Sequence, residues 1–569
     1  MSDVFGFRIR LVVFFICLVA VFFTVRLGWL QIAQGDYYAQ EAGQQYVTTV
    51  QSQFDRGTIF FKKKNGELVS GASLLRAFTV SVNPRALQNP VEAYEKIKTF
   101  LPDLDYDFFL KQASTPNSNY REIATQVPED QAKGLTGLNL KGLSVARVNS
   151  RFSPSGFLAP HVIGFVGYQG NEFVGQYGIE RTYQETLTRV GSGVYVNFFA
   201  EVFTHLTQFS PVENTTEGDV VMTIEPSVQS SLQNELDLIR ERWQSDRTMG
   251  IIMDPKTGAV LAMASTPGFD INNYRNEKVS IFSNPNVQSV FEMGSIMKPI
   301  ILATALDQGV ITADTTYYDA GFVKVGDRTI NNFDRRGRGN VTIQTVLNQS
   351  LNTGMVFAMQ RMNKNNFREQ FEKFGFGETT GIDLPGEIKG LVANLKTNRD
   401  VEFANISFGQ GIAATPIGMT RAMSALANGG KIIEPRVVER IEYVDGSREN
   451  REPKIIRSVI KPETSEEITR MMVNAFDGYF SGTKKMKNYS IAGKTGTAQM
   501  ADREKGGYYS DRNLHTFVGY FPAYDPKFIV FMMNEYPKMG ARYSSETLID
   551  PFLNLAKFLI NYYNIPPDR

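Results

Sequence analysis

Serine and lysine, rather than histidine or cysteine, are the residues with which this sequence could perform covalent chemistry. The chain has three histidines, far apart at positions 161, 205 and 515, and a single cysteine, Cys17. An intramolecular disulfide, a cysteine-based zinc cluster and a His-rich metal site are therefore excluded, and a Ser-His-Asp triad is implausible. A lysine can activate a serine instead, if it lies beside the serine hydroxyl and is uncharged.

The motif S-x-x-K supplies such a pair, because residues three apart lie on the same face of a helix. It occurs at Ser295–Lys298, Ser458–Lys461 and Ser481–Lys484. Only the first copy follows a glycine and opens an apolar run, PIILATAL, which predicts a helix beginning at the motif. A serine at a helix start has free backbone N–H groups and the positive end of the helix dipole beside it. Those donors could hold an oxyanion once Ser295 attacks a carbonyl carbon.

Two other short motifs occur twice each, and their context distinguishes the copies. The S-x-N and K-T-G motifs stand at Ser81–Asn83, Ser350–Asn352, Lys256–Gly258 and Lys494–Gly496. Lys256 lies in a polar segment, DPKTGA, that is typical of a hairpin turn, and Ser81 lies in a strand-like segment far upstream. Each match alone is weak evidence. One ordered set remains, with its motifs at positions 295, 350 and 494.

That ordered set, SIMK (295–298), SLN (350–352) and KTGTA (494–498), resembles the penicillin-binding proteins, the superfamily of D,D-transpeptidases and serine β-lactamases. The spacings between the motifs are also similar to that family. Upstream, the segments RGTIF, NGELVS, HVIGFVG and YGIERTY resemble the non-catalytic module of its class B (monofunctional) members. Three positions depart from the family pattern without touching the motifs: Ser153 replaces a common tyrosine, Arg189 a common glycine and Glu225 a common aspartate.

The resemblance implies a serine acyl-enzyme mechanism. Ser295 would attack the D-Ala–D-Ala carbonyl of a peptidoglycan stem peptide, and Lys298, if desolvated enough to be neutral, would take its proton. Ser350 would pass a proton to the leaving D-alanine, with Lys494 close enough to polarise it. Asn352 would hold Lys298 or the substrate amide in register. If Lys298 is buried it can act as the base, and if it is exposed it is an ordinary surface charge.

The third motif is implied to bind the substrate backbone. Lys494, Thr495 and Gly496 would form an edge strand that pairs with the extended peptide, with Gly496 lacking a side chain where the two backbones approach. Thr497 would bind the terminal carboxylate, and its N–H and that of Ser295 would form the oxyanion hole. An amine of a neighbouring stem would then resolve the acyl-enzyme, and β-lactams would acylate Ser295 as substrate mimics. No cofactor or metal is expected.

Composition and pattern predict an α+β multidomain protein. Hydrophobic residues make up 42% of the chain and charged residues 21%, and 60 Lys+Arg against 59 Asp+Glu give a net charge of +1, which argues against nucleic-acid binding. We expect a cytoplasmic tail over 1–10, a transmembrane anchor over 11–32, an elongated mixed α/β pedestal, or dimerisation-like, module over 33–215 and a transpeptidase domain over 216–569. The last domain is expected to be an antiparallel sheet flanked by helices.

The N-terminal segment predicts a membrane location. Residues 11–25 read LVVFFICLVAVFFTV, and Arg8 and Arg10 precede them, which favours a cytoplasmic N-terminus with the remainder on the outer face. An uncleaved single-pass anchor in the plasma (inner) membrane is favoured over a cleaved signal peptide. By resemblance, a SEDS-type glycosyltransferase and other wall-synthesis membrane proteins are expected partners. A penicillin-binding scaffold or sensor, a D,D-carboxypeptidase, and a division or elongation role all remain open, with division somewhat preferred.

Overall fold

The computed structural model describes residues 55–116, 118–170, 172–189, 216–502 and 506–569, together with seven helical residues at 14, 18, 19, 21–23 and 26. The predicted tail over 1–10, most of the predicted anchor over 11–32 and residues 33–54 lie outside the described residues. Within the part that is described, no helix combines the length and the apolar composition that a membrane crossing requires.

The described strands and helices are interspersed along the chain. The strands are β1 Ile59–Lys62, β2 Leu68–Val82, β3 Arg121–Val127, β4 Leu143–Phe152, β5 Val166–Gln169, β6 Glu172–Gly175, β7 Gly218–Met222, β8 Arg247–Met253, β9 Val260–Thr266, β10 Thr316–Asp319, β11 Phe322–Val325, β12 Arg328–Asn331, β13 Gly339–Thr342, β14 Lys431–Ile433, β15 Val438–Tyr443, β16 Arg448–Asn450, β17 Ile455–Ser458, β18 Ala492–Ala501, β19 Tyr508–Phe521 and β20 Phe528–Glu535. The α-helices are α1 Pro90–Lys98, α2 Tyr106–Ala113, α3 Glu129–Gly137, α4 Pro160–Ile163, α5 Gly178–Thr182, α6 Gln184–Leu187, α7 Pro226–Trp243, α8 Pro285–Gln288, α9 Lys298–Asp307, α10 Ile343–Asn348, α11 Asn352–Gln360, α12 Lys364–Lys373, α13 Asp400–Ile406, α14 Pro416–Ala427, α15 Pro462–Asp477 and α16 Ser544–Tyr563.

The chain divides into two compact units, and the division differs from the predicted boundary at 215/216. Among the described residues, one unit includes 76–149 and the other includes 56–75, 150–189 and the segment from 216 to 569. Two segments predicted for the pedestal, 56–75 and 150–189, thus join the same unit as the transpeptidase segment. One reason is that β1 pairs in parallel with β7, with Ile59 opposite Val220. The functional boundary between pedestal and catalytic domain stays a prediction.

In the larger unit, a five-stranded antiparallel sheet in the order β18-β19-β20-β8-β9 carries the third motif. The side chains of successive residues in a strand point to opposite faces of this sheet, and the two faces of β20 pack against different apolar clusters. In β20, Val530 and Met532 pack into a cluster with helices α7 and α16, whereas Ile529 and Phe531 pack into the cluster that contains α9 and α14. Both faces of β20 are therefore buried, and its first six positions, FIVFMM, are all apolar. The predicted antiparallel sheet flanked by helices is confirmed.

In the smaller unit, the second part of β2 pairs antiparallel with β3, with Phe78 opposite Val127. Helices α1, α2 and α3 contribute to an apolar cluster with these strands, centred on side chains such as Ile97, Phe109 and Leu135. The helix starts are set by local sequence. Asn89 caps α1 and Asp105 caps α2, each accepting a backbone N–H from three residues further on.

In the larger unit, a buried ion-pair triad joins two of the segments on which the class B resemblance rests. Arg56 of RGTIF and Glu180 of YGIERTY belong to these segments, and Arg151 of β4 is the third member. The Glu180 carboxylate is fully buried and lies 2.5 Å from Arg56 Nε and 2.6 Å from Arg151 Nε. Arg151 also donates to the carbonyl of Gly57 at 2.7 Å. Both guanidinium groups are nearly excluded from water, and the Glu180 carboxylate is the acidic group that both of them contact directly.

We therefore expect Glu180→Gln to lower the free energy of unfolding by about 3–5 kcal/mol, because it leaves two buried cations without a counter-charge. Urea denaturation followed by circular dichroism measures the change. The matched control is Glu439→Gln, since the Lys62–Glu439 pair is similarly short at 2.7 Å but is about one-third exposed. That change should cost less than about 1 kcal/mol. Equal effects of the two substitutions would contradict the prediction.

Candidate active site

Ser295 lies on a single 3₁₀ turn, Gly294–Met297, that leads directly into α9. The predicted helix start is confirmed, with a tighter first turn than expected. In a 3₁₀ turn, residues three apart lie on the same side of the axis, so Lys298 follows Ser295 on one side. The turn requires Gly294, whose φ is +60° and whose added Cβ would lie 3.3 Å from the Thr497 carbonyl oxygen. Ser295 itself is half-buried.

The Lys298 side chain, 0% exposed, is held by the second motif. Its Nζ donates to the Ser350 carbonyl at 2.6 Å, to Ser350 Oγ at 3.2 Å and to Asn352 Oδ1 at 2.8 Å. Ser350 turns its carbonyl and hydroxyl toward the same amine with a left-handed backbone, φ +55°. Asn352 thus makes the contact that the first of its two predicted roles, holding Lys298, requires, and both roles stay predictions.

The third motif brings a second lysine to the same serine. Lys494 Nζ donates to Ser350 Oγ at 3.1 Å and to the Thr495 carbonyl at 2.8 Å, and its side chain is 1% exposed. Ser350 Oγ is thus within hydrogen-bonding distance of both amines. This arrangement provides a proton path between the two lysines through one hydroxyl, as the predicted roles of Ser350 and Lys494 require.

Burial lowers the pKa of both lysines. The pKa of Lys298 lies well below its ordinary value because the side chain is desolvated and because the Lys494 cation is close. Burial alone lowers the pKa of Lys494 to about 7. An amine whose protonated form is disfavoured can accept the proton of a serine hydroxyl near neutral pH. The question left open by the sequence, whether Lys298 is desolvated, is answered by the fold.

The pH dependence of acylation should follow from this shift. Because the pKa of Lys298 is lowered, its neutral form predominates at a pH at which an ordinary lysine is charged, and acid removes it. We expect the second-order acylation constant for a fluorescent penicillin to fall on acidification, with a midpoint well below the ordinary lysine value of 10.5. The measurement is acylation rate against pH over the range in which the penicillin is stable. A rate that climbs only near pH 10.5 would rule out a desolvated base.

Strand β18, which carries Lys494, Thr495 and Gly496, lies at the edge of its sheet among the described strands, as predicted. The Thr495 N–H donates to Tyr479 Oη at 3.3 Å, so it points away from β19 toward the open edge. Amide groups two residues apart in a strand point the same way. The N–H of Thr497 therefore also faces the open edge, the direction that its predicted oxyanion role needs.

The hydroxyl of Thr497 is tied to the beginning of the long helix α16. Its Oγ1 accepts from the Ser544 N–H at 3.1 Å and lies 3.4 Å from Ser544 Oγ. A helix N-terminus presents unpaired N–H groups and a partial positive charge, which favour an anion. The structure thus adds the start of α16 as a neighbour of Thr497 that the motif could not reveal, and the binding of a carboxylate at Thr497 stays a prediction.

The structure gives a different reason for glycine at position 496. The sequence interpretation was that a side chain there would obstruct the substrate backbone. Instead, a Cβ at Gly496 would point into the protein, 2.3 Å from Thr516 Oγ1, 2.8 Å from the Met293 carbonyl oxygen and 3.1 Å from Ile296 Cγ2. Glycine is needed because β18 packs directly against the turn that carries Ser295. Its direct role in substrate binding stays a prediction.

The motif copies that context disfavoured do not assemble a comparable site. Ser458 is exposed at the end of β17, and Ser481 is exposed with a left-handed φ of +56°. Lys256 lies in the turn between β8 and β9 and pairs with Asp525. Neither serine has a buried lysine three residues later, since Lys461 is exposed and Lys484 pairs with Asp550.

Sequence reasoning missed two side chains that support the site. Tyr479 is bonded both to the Thr495 N–H and, at 3.1 Å, to Thr495 Oγ1, so it occupies the edge of β18 next to Thr497. Asn332 accepts the N–H groups of Asn352 and Thr353. Neither residue belongs to a spaced motif: Tyr479 begins a 3₁₀ turn after α15, and Asn332 follows β12. No local pattern could have identified them.

Comparison with known proteins agrees with this geometry. Residues 248–554 match the family model described as penicillin binding protein transpeptidase domain. The chain is 30% identical over 549 residues to stage V sporulation protein D of Bacillus subtilis (strain 168), covering 93% of this chain and 82% of that protein. It is 25% identical over 563 residues to peptidoglycan D,D-transpeptidase FtsI of Escherichia coli (strain K12), covering 97% and 91%.

The fold is also similar to that of a solved structure. The crystal structure of penicillin binding protein 3 from Mycobacterium tuberculosis, complexed with aztreonam, superposes with a TM-score of 0.68 at 24% identity, covering 91% of this chain and 98% of that one. At this identity the likeness concerns the fold alone. The matched domain contains all three motifs, including Ser295 and the two buried lysines that converge on Ser350. The chain therefore belongs to the penicillin-binding protein transpeptidase family, among its class B members of the division or elongation type.

Proposed function

We propose that this protein is a peptidoglycan D,D-transpeptidase that cross-links stem peptides through an acyl-enzyme on Ser295, and that β-lactams inhibit it by acylating the same serine. The observation that carries the proposal is the convergence of two buried, pKa-lowered lysines on Ser350, beside the turn of Ser295 and the open edge of β18. Relatives named as peptidoglycan D,D-transpeptidases support the substrate class.

In this mechanism, neutral Lys298 takes the proton of Ser295 as its Oγ bonds to the carbonyl carbon of the penultimate D-alanine. The N–H groups of Ser295 and Thr497 stabilise the resulting oxyanion. The C–N bond then breaks as Ser350, polarised by Lys494, gives its proton to the departing D-alanine amine and is reprotonated by Lys298, which becomes neutral again. The amine of a second stem attacks the acyl carbon and gives its proton to Lys298, and Lys298 returns that proton to Ser295 Oγ as the acyl C–O bond breaks.

The test uses peptidoglycan strands with pentapeptide stems and measures both free D-alanine and cross-linked dimers by mass spectrometry. We expect both products from the wild-type chain and neither from Ser295→Ala. D-alanine without dimers would support the alternative D,D-carboxypeptidase. Penicillin labelling with neither product would support the scaffold or sensor alternative. Peptide mapping after penicillin treatment should place the adduct on Ser295, and an adduct on Ser458 or Ser481 would overturn the assignment.

We also propose that residues 11–32 anchor the protein in the plasma (inner) membrane, with residues 33–569 on the outer face. The uncharged run over 11–25 and the preceding Arg8 and Arg10 support this orientation. External protease added to spheroplasts should degrade the large domain. Protection of that domain in intact spheroplasts would contradict the proposal.

The third proposal concerns a partner. We propose that the anchor and pedestal dock a SEDS-type glycosyltransferase that makes the strands to be cross-linked. The support is the class B family membership and the length of chain that holds none of the three motifs. Replacing residues 11–32 by an unrelated membrane span tests the helix-specific part. Unchanged co-purification and complementation after this exchange would contradict it.

A further inference from the structure

A buried amide and a buried carboxylate lie directly behind the second motif, outside any motif of the sequence. Asp319 ends β10 and is 1% exposed, and Asn332 follows β12 and is 2% exposed. The Asn332 Nδ2 donates to both carboxylate oxygens of Asp319, at 3.0 Å each. Because a carboxylate only accepts hydrogen bonds, this contact fixes the amide orientation and turns Asn332 Oδ1 toward α11.

Asn332 Oδ1 caps the helix that carries Asn352. It accepts from the N–H of Asn352 at 3.0 Å and from the N–H of Thr353 at 3.2 Å, the first two residues of α11. The residue that precedes the helix is Leu351, whose side chain cannot accept a hydrogen bond. Two of the orphan donors of the helix start are therefore satisfied by a residue from outside the helix.

Asp319 is itself held in place from several directions. It accepts from the N–H of Gly321 at 2.9 Å, from the N–H of Arg338 at 3.1 Å and from Thr353 Oγ1 at 2.8 Å. These donors come from two loops and from α11. A carboxylate with this many partners is a rigid support for the Asn332 amide.

The same loop also orients the Asn352 side chain. Asn352 Nδ2 donates to the Asn331 carbonyl at 3.0 Å, which leaves Asn352 Oδ1 facing Lys298 Nζ at 2.8 Å. Residues 331 and 332 thus fix both the backbone and the side chain of Asn352. Ser350, two residues earlier, has a left-handed backbone and gives Lys298 two of its three acceptors.

We propose that Asn332, oriented by Asp319, is a positioning residue for the acylation reaction: it holds Ser350 and Asn352 at the amine of Lys298. The proposal rests on the proposed acyl-enzyme function. Misplacing these acceptors by an ångström would remove the alignment of base and nucleophile, an effect that can reach about a hundredfold in rate. It would also alter the pH profile, because acceptors on the Lys298 amine stabilise its charged form.

The experiment measures the second-order acylation constant for a fluorescent penicillin against pH on the full chain, normalised to the folded fraction from a thermal melt. For Asn332→Ala we expect a rate about ten- to a hundredfold lower and an acidic midpoint shifted to lower pH, since the charged amine loses acceptors. Lys494, the other charge beside Lys298, is unchanged in every variant. The control Asn340→Ala removes an exposed asparagine of β13 and should change neither quantity.

A pair of exchanges keeps the test decisive if Asn332→Ala folds poorly. Asn332→Asp alone places two carboxylates face to face and should be as defective as alanine. Combined with Asp319→Asn it restores one amide donor facing one carboxylate, but the new amide no longer accepts the Arg338 N–H, so the rate should recover in part, by about tenfold over Asn332→Asp alone. Two results would overturn the positioning role alone. One is that Asn332→Ala is acylated at the wild-type rate with an unshifted pH profile, and the other is that the double exchange recovers no activity. Absence of wild-type acylation would overturn the proposed function instead.

Discussion

Lys298→Arg should lower the rate constant of acylation by a β-lactam at least about 10³-fold while the protein remains folded. Arginine keeps the positive charge but cannot give up a proton at any usable pH, so the serine would have no base. The structure strengthens this expectation, because Lys298 is completely buried and its amine contacts the second motif directly. The measurement is the second-order acylation constant, with circular dichroism as the folding check.

The informative companion is Lys494→Arg, made and measured in the same way. Lys494 polarises Ser350 and keeps the pKa of Lys298 low through its charge, and arginine retains that charge. We expect this variant to keep a measurable rate, reduced by roughly tenfold because the longer side chain must fit a buried position. If Lys298→Arg acylates nearly as fast as wild type while Lys494→Arg is inactive, the base has been assigned to the wrong lysine.

Gly496→Ala should reduce acylation about a hundredfold, although it adds only one methyl group. The new Cβ would lie 2.8 Å from the Met293 carbonyl oxygen and 2.3 Å from Thr516 Oγ1, so β18 and the Ser295 turn must separate. A shift of this size moves Thr497 relative to the nucleophile and opens the predicted oxyanion hole. The second-order acylation constant, again normalised to folded protein, measures the loss.

Gly137→Ala is the matched control for this methyl group. A Cβ at Gly137, the last residue of α3, meets no atom within 4 Å, and its backbone needs no positive φ. The control should acylate at the wild-type rate. Acylation by Gly496→Ala at the same rate as Gly137→Ala would mean that the close contact between strand and turn has no role in the reaction.

The sequence alone determined the chemistry and its order along the chain. Three short motifs at positions 295, 350 and 494, each weak by itself, predicted the nucleophile, two lysines and an edge strand, and the strand and the helix start are confirmed. This was possible because acyl transfer restricts residue type and local backbone at each of these points. The antiparallel sheet flanked by helices was also predicted, and its strand β20 is a continuous apolar run because both of its faces are buried.

What only the tertiary structure decided is the environment of those residues. Desolvation of Lys298 and Lys494 depends on side chains packed around them from distant segments, so their lowered pKa has no local signature. The support of Asn352 by Asn332, and of Thr497 by the start of α16, likewise joins residues far apart in the chain. A motif specifies which groups are present. The fold specifies which of these groups are desolvated, close together and correctly oriented, because water is excluded and short distances are set only when separate segments pack together.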